Sequence, residues 1–197
     1  MIEDCTAIIL AGGDSQRMGS DKANMLLGEQ TLLQRVIATM QQIFPQVMLS
    51  VRQPRPGISL PQICDEIDSA GPLAGLAASL VQATTPWSFV VACDMPFVAP
   101  AMVELLGQYR SRYQAVVPVV QGHPQPLAAF YASSCLGAIR AHLAGGGKNS
   151  LRAVLEKLDV CYVDEAELLV ADPGLRSFFD LDTPQDVARA KSEQGIR

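Results

Sequence analysis

Thr6-Ala7-Ile8-Ile9-Leu10-Ala11-Gly12-Gly13-Asp14-Ser15-Gln16-Arg17-Met18-Gly19-Ser20-Asp21-Lys22 is the stretch from which the rest of the chain can be read. Its first five residues are an unbroken apolar run, as in a strand buried on both faces, and the run stops at a glycine pair. Gly12, Gly13 and Gly19, with Arg17 and Lys22, then follow where an open α/β sheet would bind its ligand, at the carboxyl end of the strand. Glycine lets backbone N–H groups approach an anion, and the two cations supply charge toward it. The combination reads as a cradle for a triphosphate. A plain connection would have needed only about 2–6 residues.

Two better-known phosphate loops do not fit. A dinucleotide fingerprint requires Gly-x-Gly-x-x-Gly, whereas Gly12 and Gly13 are adjacent and Gly19 follows too late. A P-loop requires Gly-x-x-x-x-Gly-Lys followed by Ser or Thr. In Gly145-Gly146-Gly147-Lys148-Asn149, His142 stands where the first glycine belongs and Asn149 where the hydroxyl belongs.

Working outward, Leu32, Leu33, Val36, Ile37, Met40, Ile43 and Phe44 repeat at helical spacing, with Thr31 as N-cap and Pro45 just beyond. Val47 to Val51 is a second apolar run, so the chain opens as β–loop–α–β, with the two strands parallel neighbours. A helix over Leu73 to Gln82, a strand over Trp87 to Cys93 and a helix from Pro100 to about Tyr109 continue the alternation. Ala115 to Val119 and Leu127 to Tyr131 read as two strands joined by the polar turn Gln121 to Pro126, a pair that would widen the sheet. Helices over about 133–144 and 150–158, a strand at Val160 to Val163, a final strand near Phe178 to Leu181 and a helix opened by Thr183-Pro184 complete the reading. The expectation is one three-layer α/β domain over residues 1–197, with a mostly parallel, Rossmann-like sheet.

Composition sets the class of partner. With 15 Lys and Arg against 20 Asp and Glu the formal charge is −5, so no global positive field recruits nucleic acid or an anionic membrane. The partner should be small. Glu3 and Asp4 precede the first apolar run, the wrong order for a secretory signal, and no apolar stretch reaches the roughly 18 residues of a membrane span. A soluble, cytoplasmic protein is expected. Cys5, Cys64, Cys93, Cys135 and Cys161 are odd in number and scattered, matching neither a disulfide framework nor zinc spacing, and read as buried reduced thiols.

Asp94 follows the apolar run Phe89 to Cys93, and Met95-Pro96 turns the chain away at once. A carboxylate there faces the ligand crevice and suits a nucleotide-bound Mg²⁺, which takes one or two protein carboxylates and completes its shell with phosphate oxygens and water. The competing role is a cap for the next helix. Asp180 and Asp182 would share one face of an extended segment. Lys148 and Arg152, in and beside the second glycine-rich stretch, read equally as ligands for a phosphate or as a solvated helix face. His123 and His142 have no partner at catalytic spacing.

The motif Leu10-Ala11-Gly12-Gly13, then Arg17-Met18-Gly19 and Asp21-Lys22, resembles the opening of molybdenum cofactor guanylyltransferases, the molybdopterin-guanine dinucleotide biosynthesis protein A family, within the glycosyltransferase-A-like nucleotidyltransferases. The resemblance continues in the family's order at Gly71-Pro72-Leu73-Ala74-Gly75, Ala92-Cys93-Asp94-Met95-Pro96-Phe97, Gln125-Pro126-Leu127 with Tyr131, and Phe179-Asp180-Leu181-Asp182-Thr183-Pro184. It implies GMP transfer from GTP to the terminal phosphate of the molybdenum cofactor or molybdopterin, with Mg²⁺ and release of pyrophosphate. Lys22, Arg17 and Asp94 would be catalytic. Leu10, Ala11, Gly12, Gly13, Lys22, Ser50, Asp65 and Asp94 would contact the nucleotide. Asp94 would be the metal ligand, with Asp182 either a second ligand or an N-cap. Lys148, Arg152, Asp180 and Asp182 would face the acceptor. Ser50 departs from the family, which often carries Asn after the second strand, and this puts that one contact in doubt. Transient contact with proteins that donate the cofactor or mature molybdoenzymes is also implied. The rival activities are cytidylyl transfer to the same cofactor and sugar-phosphate nucleotidyl transfer, and the rival from another class is a non-catalytic nucleotide-binding module.

Overall fold

The computed structural model describes residues 1–12, 21–64, 71–145, 150–181 and 183–194. In chain order the elements are β1 (Cys5–Leu10), a small hairpin of β2 (Leu26–Leu27) and β3 (Gln30–Thr31), α1 (Leu32–Ile43), β4 (Gln46–Val51), β5 (Gln62–Cys64), α2 (Gly71–Gln82), β6 (Trp87–Ala92) and α3 (Pro100–Gly107). They continue with β7 (Ala115–Val120), β8 (His123–Pro124), β9 (Ala128–Ala132), α4 (Cys135–Ala144), α5 (Leu151–Leu155), β10 (Val160–Val163), α6 (Glu165–Ala171) and α7 (Pro184–Gln194).

The sheet runs β10-β7-β9-β6-β1-β4-β5, with β8 folded back on β7. All the strands along that path are parallel except β9, which is antiparallel to both β6 and β7. β1 lies inside it, between β6 and β4, and is buried along its whole length, which is why it reads as a continuous apolar run rather than an alternating one. Alternation survives in which face each residue meets. Ala7 and Ile9 join one core with Leu33, Val36, Met40, Met102 and Leu106, beneath α1, α3 and α6, while Ile8 and Leu10 join the other with Leu73, Leu76 and Ile139, beneath α2, α4 and α5. Phe44, Phe89 and Phe130 pack as a trio in the first core, with ring centroids 4.9 to 6.3 Å apart.

α1 begins where the sequence predicts. The Thr31 hydroxyl accepts from the Gln34 amide while the Gln34 side chain accepts from the Thr31 amide, a reciprocal capping box. Two expectations change. Phe178 to Leu181 is not a strand: Arg176–Phe178 is a 3-10 turn, and the chain then crosses the end of β6, with the Leu181 amide donating to the Asp94 carbonyl at 2.9 Å. Its apolar residues serve a small third core, where Leu181 packs with Leu27, Leu32 and Val187, and Phe179 stacks on Phe97. The pair β7 and β9 does widen the sheet beyond β6, with the later strand, β9, lying next to β6 and β7 outside it. Cys64 is exposed at the end of the edge strand β5, unlike Cys5 and Cys135, which are buried. α6, capped by Asp164, was not anticipated. No helix among the described residues is long and apolar enough to cross a membrane.

Candidate active site

Parallel register brings Leu10, Ser50 and Ala92 into one row across β4, β1 and β6. The ladder continues for one more step on each side, with the Ala11 amide donating to the Ser50 carbonyl at 2.8 Å and the Cys93 amide to the Leu10 carbonyl at 3.0 Å. Beyond this row the strands end and a cleft of about 410 Å³ opens at their carboxyl ends. Gly12 lies at its edge, so close to the next strand that a Cβ would come within 3.3 Å of the Arg52 backbone nitrogen. A side chain at that position would push the two backbones apart.

Lys22 opens a 3-10 turn over Lys22–Asn24 that Asp21 caps, its Oδ1 accepting from the Ala23 amide at 3.1 Å. From there the Lys22 ammonium reaches across to Asp94, Nζ to Oδ2 at 3.5 Å, with both side chains about three quarters or more buried. Asp94 sits one residue past the β6 ladder on a turn closed by the Met95 amide donating to the Ala92 carbonyl. It does not cap the next helix, because the residue before α3 is Ala99, whose amide is taken by the Ser177 hydroxyl at 2.9 Å. The carboxylate is thus left to face the cleft.

A second wall is made of Gln125, Pro126 and Leu127, with Arg152 on α5 and Asp180 on the crossing segment. Arg152 is exposed and donates to the Pro124 carbonyl at 3.5 Å. Gly71, Pro72 and Gly75, at the start of α2, complete the lining. The positive φ of Gly71, 59°, is one that a side chain would oppose.

Of the residues singled out in the sequence, the cleft brings together Leu10, Ala11, Gly12, Lys22, Ser50, Asp94, Arg152 and Asp180. Gly13, Arg17, Asp65, Lys148 and Asp182 lie outside the described residues. The cap of α7 is Thr183, whose hydroxyl accepts from the Asp186 amide at 3.1 Å while its own amide donates to the Asp186 carboxylate at 2.8 Å. His123 ends in the β7 hairpin and His142 is buried beside Lys157, both away from the cleft lining.

Two titrating groups have their positions marked by their surroundings. The Arg55 guanidinium, hydrogen-bonded to Asp21, holds that carboxyl below the usual aspartate range. Burial, reinforced by the charge of Asp94, pushes the Cys93 thiol up to about 12, so it is a protonated wall residue and no nucleophile. Arg55 gives no sequence signal, because it stands in an ordinary Pro-Arg-Pro-Gly connection; only its pairing with the motif residue Asp21 brings it to the site.

The donor set fits a hard cation held partly by substrate. Asp94 and Asp180 line the same cleft, and among the described residues no cluster of three or more His, Cys, Asp or Glu forms a self-sufficient metal cage. Oxygen ligands from one or two carboxylates, completed by phosphate, are the arrangement Mg²⁺ favours.

Comparison with known proteins places this geometry. A family model described as a MobA-like NTP transferase domain matches residues 7–161. A relative from Pelotomaculum thermopropionicum, designated a probable molybdenum cofactor guanylyltransferase, is 34% identical over 188 residues, covering 94% of this chain and 91% of its own. The molybdenum cofactor guanylyltransferase of Desulfosudis oleivorans is 32% identical over 191 residues, covering 95% of this chain and 94% of its own. Among solved structures, the molybdopterin-guanine dinucleotide biosynthesis protein A of Archaeoglobus fulgidus superposes with a TM-score of 0.84 at 27% identity, covering 98% of this chain and 100% of that one.

Proposed function

This chain belongs to the MobA-like NTP transferase family, and from that premise we propose that it transfers GMP from GTP to the terminal phosphate of the molybdenum cofactor or molybdopterin. The observation that carries the proposal is the Lys22–Asp94 pair, 3.5 Å apart, where the β1 and β6 strands end in one cleft. A cation and a carboxylate so placed supply what a nucleoside triphosphate with its metal requires.

In the proposed reaction an oxygen of the acceptor phosphate forms a bond to the α-phosphorus of GTP in line with the bond that breaks, and pyrophosphate leaves with that electron pair. The acceptor phosphate is already ionised at neutral pH, so no side chain has to remove a proton. What the protein must do is align two anions and neutralise the charge that builds between them. Lys22 would neutralise the transferring phosphoryl group, Arg17 would hold the triphosphate, and the backbone of Leu10, Ala11, Gly12 and Gly13 would approach it closely. Mg²⁺, held by Asp94 and the phosphates, would supply Lewis-acid neutralisation of the triphosphate. Ser50 and Asp65 would contact the nucleoside, and Arg152 with Lys148, Asp180 and Asp182 would face the acceptor. The Gly71 to Gly75 segment, at the start of α2, supports guanylyl transfer through its resemblance to the family motif.

The same reading takes residues 1–197 as one nucleotidyltransferase domain working in the cytoplasm, receiving its acceptor through transient contact with cofactor-donating or molybdoenzyme-maturation proteins. Thermal melting with GTP, CTP, ATP and UTP, each with and without Mg²⁺, tests it. GTP with Mg²⁺ at 100 times its dissociation constant should stabilise the fold by about 2.7 kcal/mol, with the other nucleotides weaker. Stabilisation by CTP in place of GTP would assign the chain to cytidylyl transfer.

A further inference from the structure

Arg55 touches both described ends of the glycine-rich stretch. Its Nη1 donates to Asp21 Oδ2 at 2.6 Å, and its Nη2 donates both to Asp21 Oδ1 at 3.1 Å and to the Ala11 carbonyl at 2.9 Å. One planar fork therefore joins the point where the chain leaves β1 to the point where it enters the turn that carries Lys22. The carboxylate it grips is not a bystander. Asp21 caps that turn, accepting from the Ala23 amide and, at 3.2 Å, from the Asn24 side chain.

The fork is itself held from behind. The Arg55 amide donates to Gln62 Oε1 at 2.7 Å and the Gln62 Nε2 donates back to the Arg55 carbonyl at 2.9 Å, so the carboxamide on β5 clamps the Arg55 backbone in both directions. The Arg55 side chain is about four fifths buried, and among the described residues its Nε is buried without a hydrogen-bond partner. An unpaired buried donor and a desolvated charge offset much of what the ion pair adds to stability. The arrangement is therefore costly as a fold-stabilising device but effective as a geometric one.

We infer that Arg55 is a positioning residue, acting through Asp21 and Ala11 to set the spacing of the glycine-rich stretch and the placement of Lys22 toward bound phosphate. The inference rests on the reading of this cleft as a triphosphate site. Arg55 acts through its neighbours in this account, and its charge alone does not suffice.

Charge and geometry predict opposite signs, which makes the inference testable. Asp21→Asn removes a negative charge beside a polyanion site, so simple electrostatics would strengthen anion binding, whereas loss of the fork's anchor would weaken it. Arg55→Lys keeps the charge but cannot bridge Asp21 and Ala11 together. Isothermal titration of the full chain with magnesium tripolyphosphate, well below the melting temperature, reads both, with Arg55→Ala and the double variant alongside. Arg55→Lys, Arg55→Ala and Asp21→Asn should each bind at least about tenfold more weakly. The double variant should bind no more weakly than Arg55→Ala, as expected for residues acting as one unit. Unchanged binding by Arg55→Lys, tighter binding by Asp21→Asn, or a wild-type chain that binds no tripolyphosphate would overturn the inference. Should Arg55→Ala fail to fold, the lysine and asparagine variants still decide it. GMP transfer assayed in parallel separates the two claims: the predicted binding pattern without transfer from GTP leaves the role of Arg55 standing and removes the proposed reaction.

Discussion

The two walls of the cleft are built by different means. On one, Leu10, Ser50 and Ala92 are fixed by the parallel ladder itself, Asp94 follows two residues after β6, and Lys22 is carried by the 3-10 turn that Asp21 caps. On the other, Gln125 to Leu127, Arg152 and Asp180 belong to a hairpin exit, a five-residue helix and an irregular crossing segment. Hydrogen bonds to backbone carbonyls hold them: the Gln125 amide donates to the Pro118 carbonyl at 2.8 Å, the Ala92 amide to the Leu127 carbonyl at 3.1 Å, the Tyr131 hydroxyl to the Pro126 carbonyl at 2.9 Å and the Leu181 amide to the Asp94 carbonyl at 2.9 Å. The ladder makes the first the more rigid wall, and it holds the residues proposed for charge neutralisation, whereas those proposed to face the acceptor sit on connecting segments.

Substitutions on the rigid wall should therefore cost rate. Asp94→Asn has the largest expected effect, turnover abolished with the far-UV spectrum and melting cooperativity retained; near-normal activity at saturating Mg²⁺ would break the distinction. Lys22→Ala should lower turnover on the order of 10²–10³-fold, measured as pyrophosphate release, and a loss under about tenfold would remove it from the rigid wall's chemistry. Arg152→Ala should act differently, raising the acceptor KM by about tenfold while leaving GTP affinity unchanged. If GTP binding falls instead, the two walls share the nucleotide and the contrast between them blurs.

The smallest effect is a pH dependence confined to the rigid wall's entrance. Arg55 depresses the Asp21 carboxyl in the folded chain, so its contribution to stability is present above the ordinary aspartate value, about 3.9, and is lost as the pH falls through the lower folded value. The melting temperature of the wild type should exceed that of Asp21→Asn modestly at neutral pH and converge on it in that acid window. Because the carboxylate is partly exposed, solvent screening keeps the difference small. A gap that persists undiminished in acid well below the ordinary aspartate value would show that Asp21 ionisation is not its source.

The same contrast explains what was legible in the sequence. The rigid wall is written in local signals: an apolar run, a glycine pair, and an aspartate at a strand end, with Thr31 and Gln34 marking α1. Placement of β9 between β6 and β7 depends on pairing between distant segments, and no local pattern encodes it. Phe178 to Leu181 misled because apolar residues serving a small satellite core have the same composition as a strand. α6 did carry a signal, Asp164 followed by Glu165 and Glu167, which the neighbouring strand obscured. Arg55 carried none, since its contact with Asp21 joins a connecting loop to a motif across 34 residues.

Whether the Lys22–Asp94 cleft moves GMP is read most directly with GTP labelled at the α-phosphorus, incubated with Mg²⁺, molybdopterin and the protein, with label and pyrophosphate followed together. The account predicts that label passes to the acceptor as pyrophosphate appears in equal amount, and that Asp94→Asn does neither. Label that remains in GTP with the wild type, or transfer by Asp94→Asn at the wild-type rate, would contradict it.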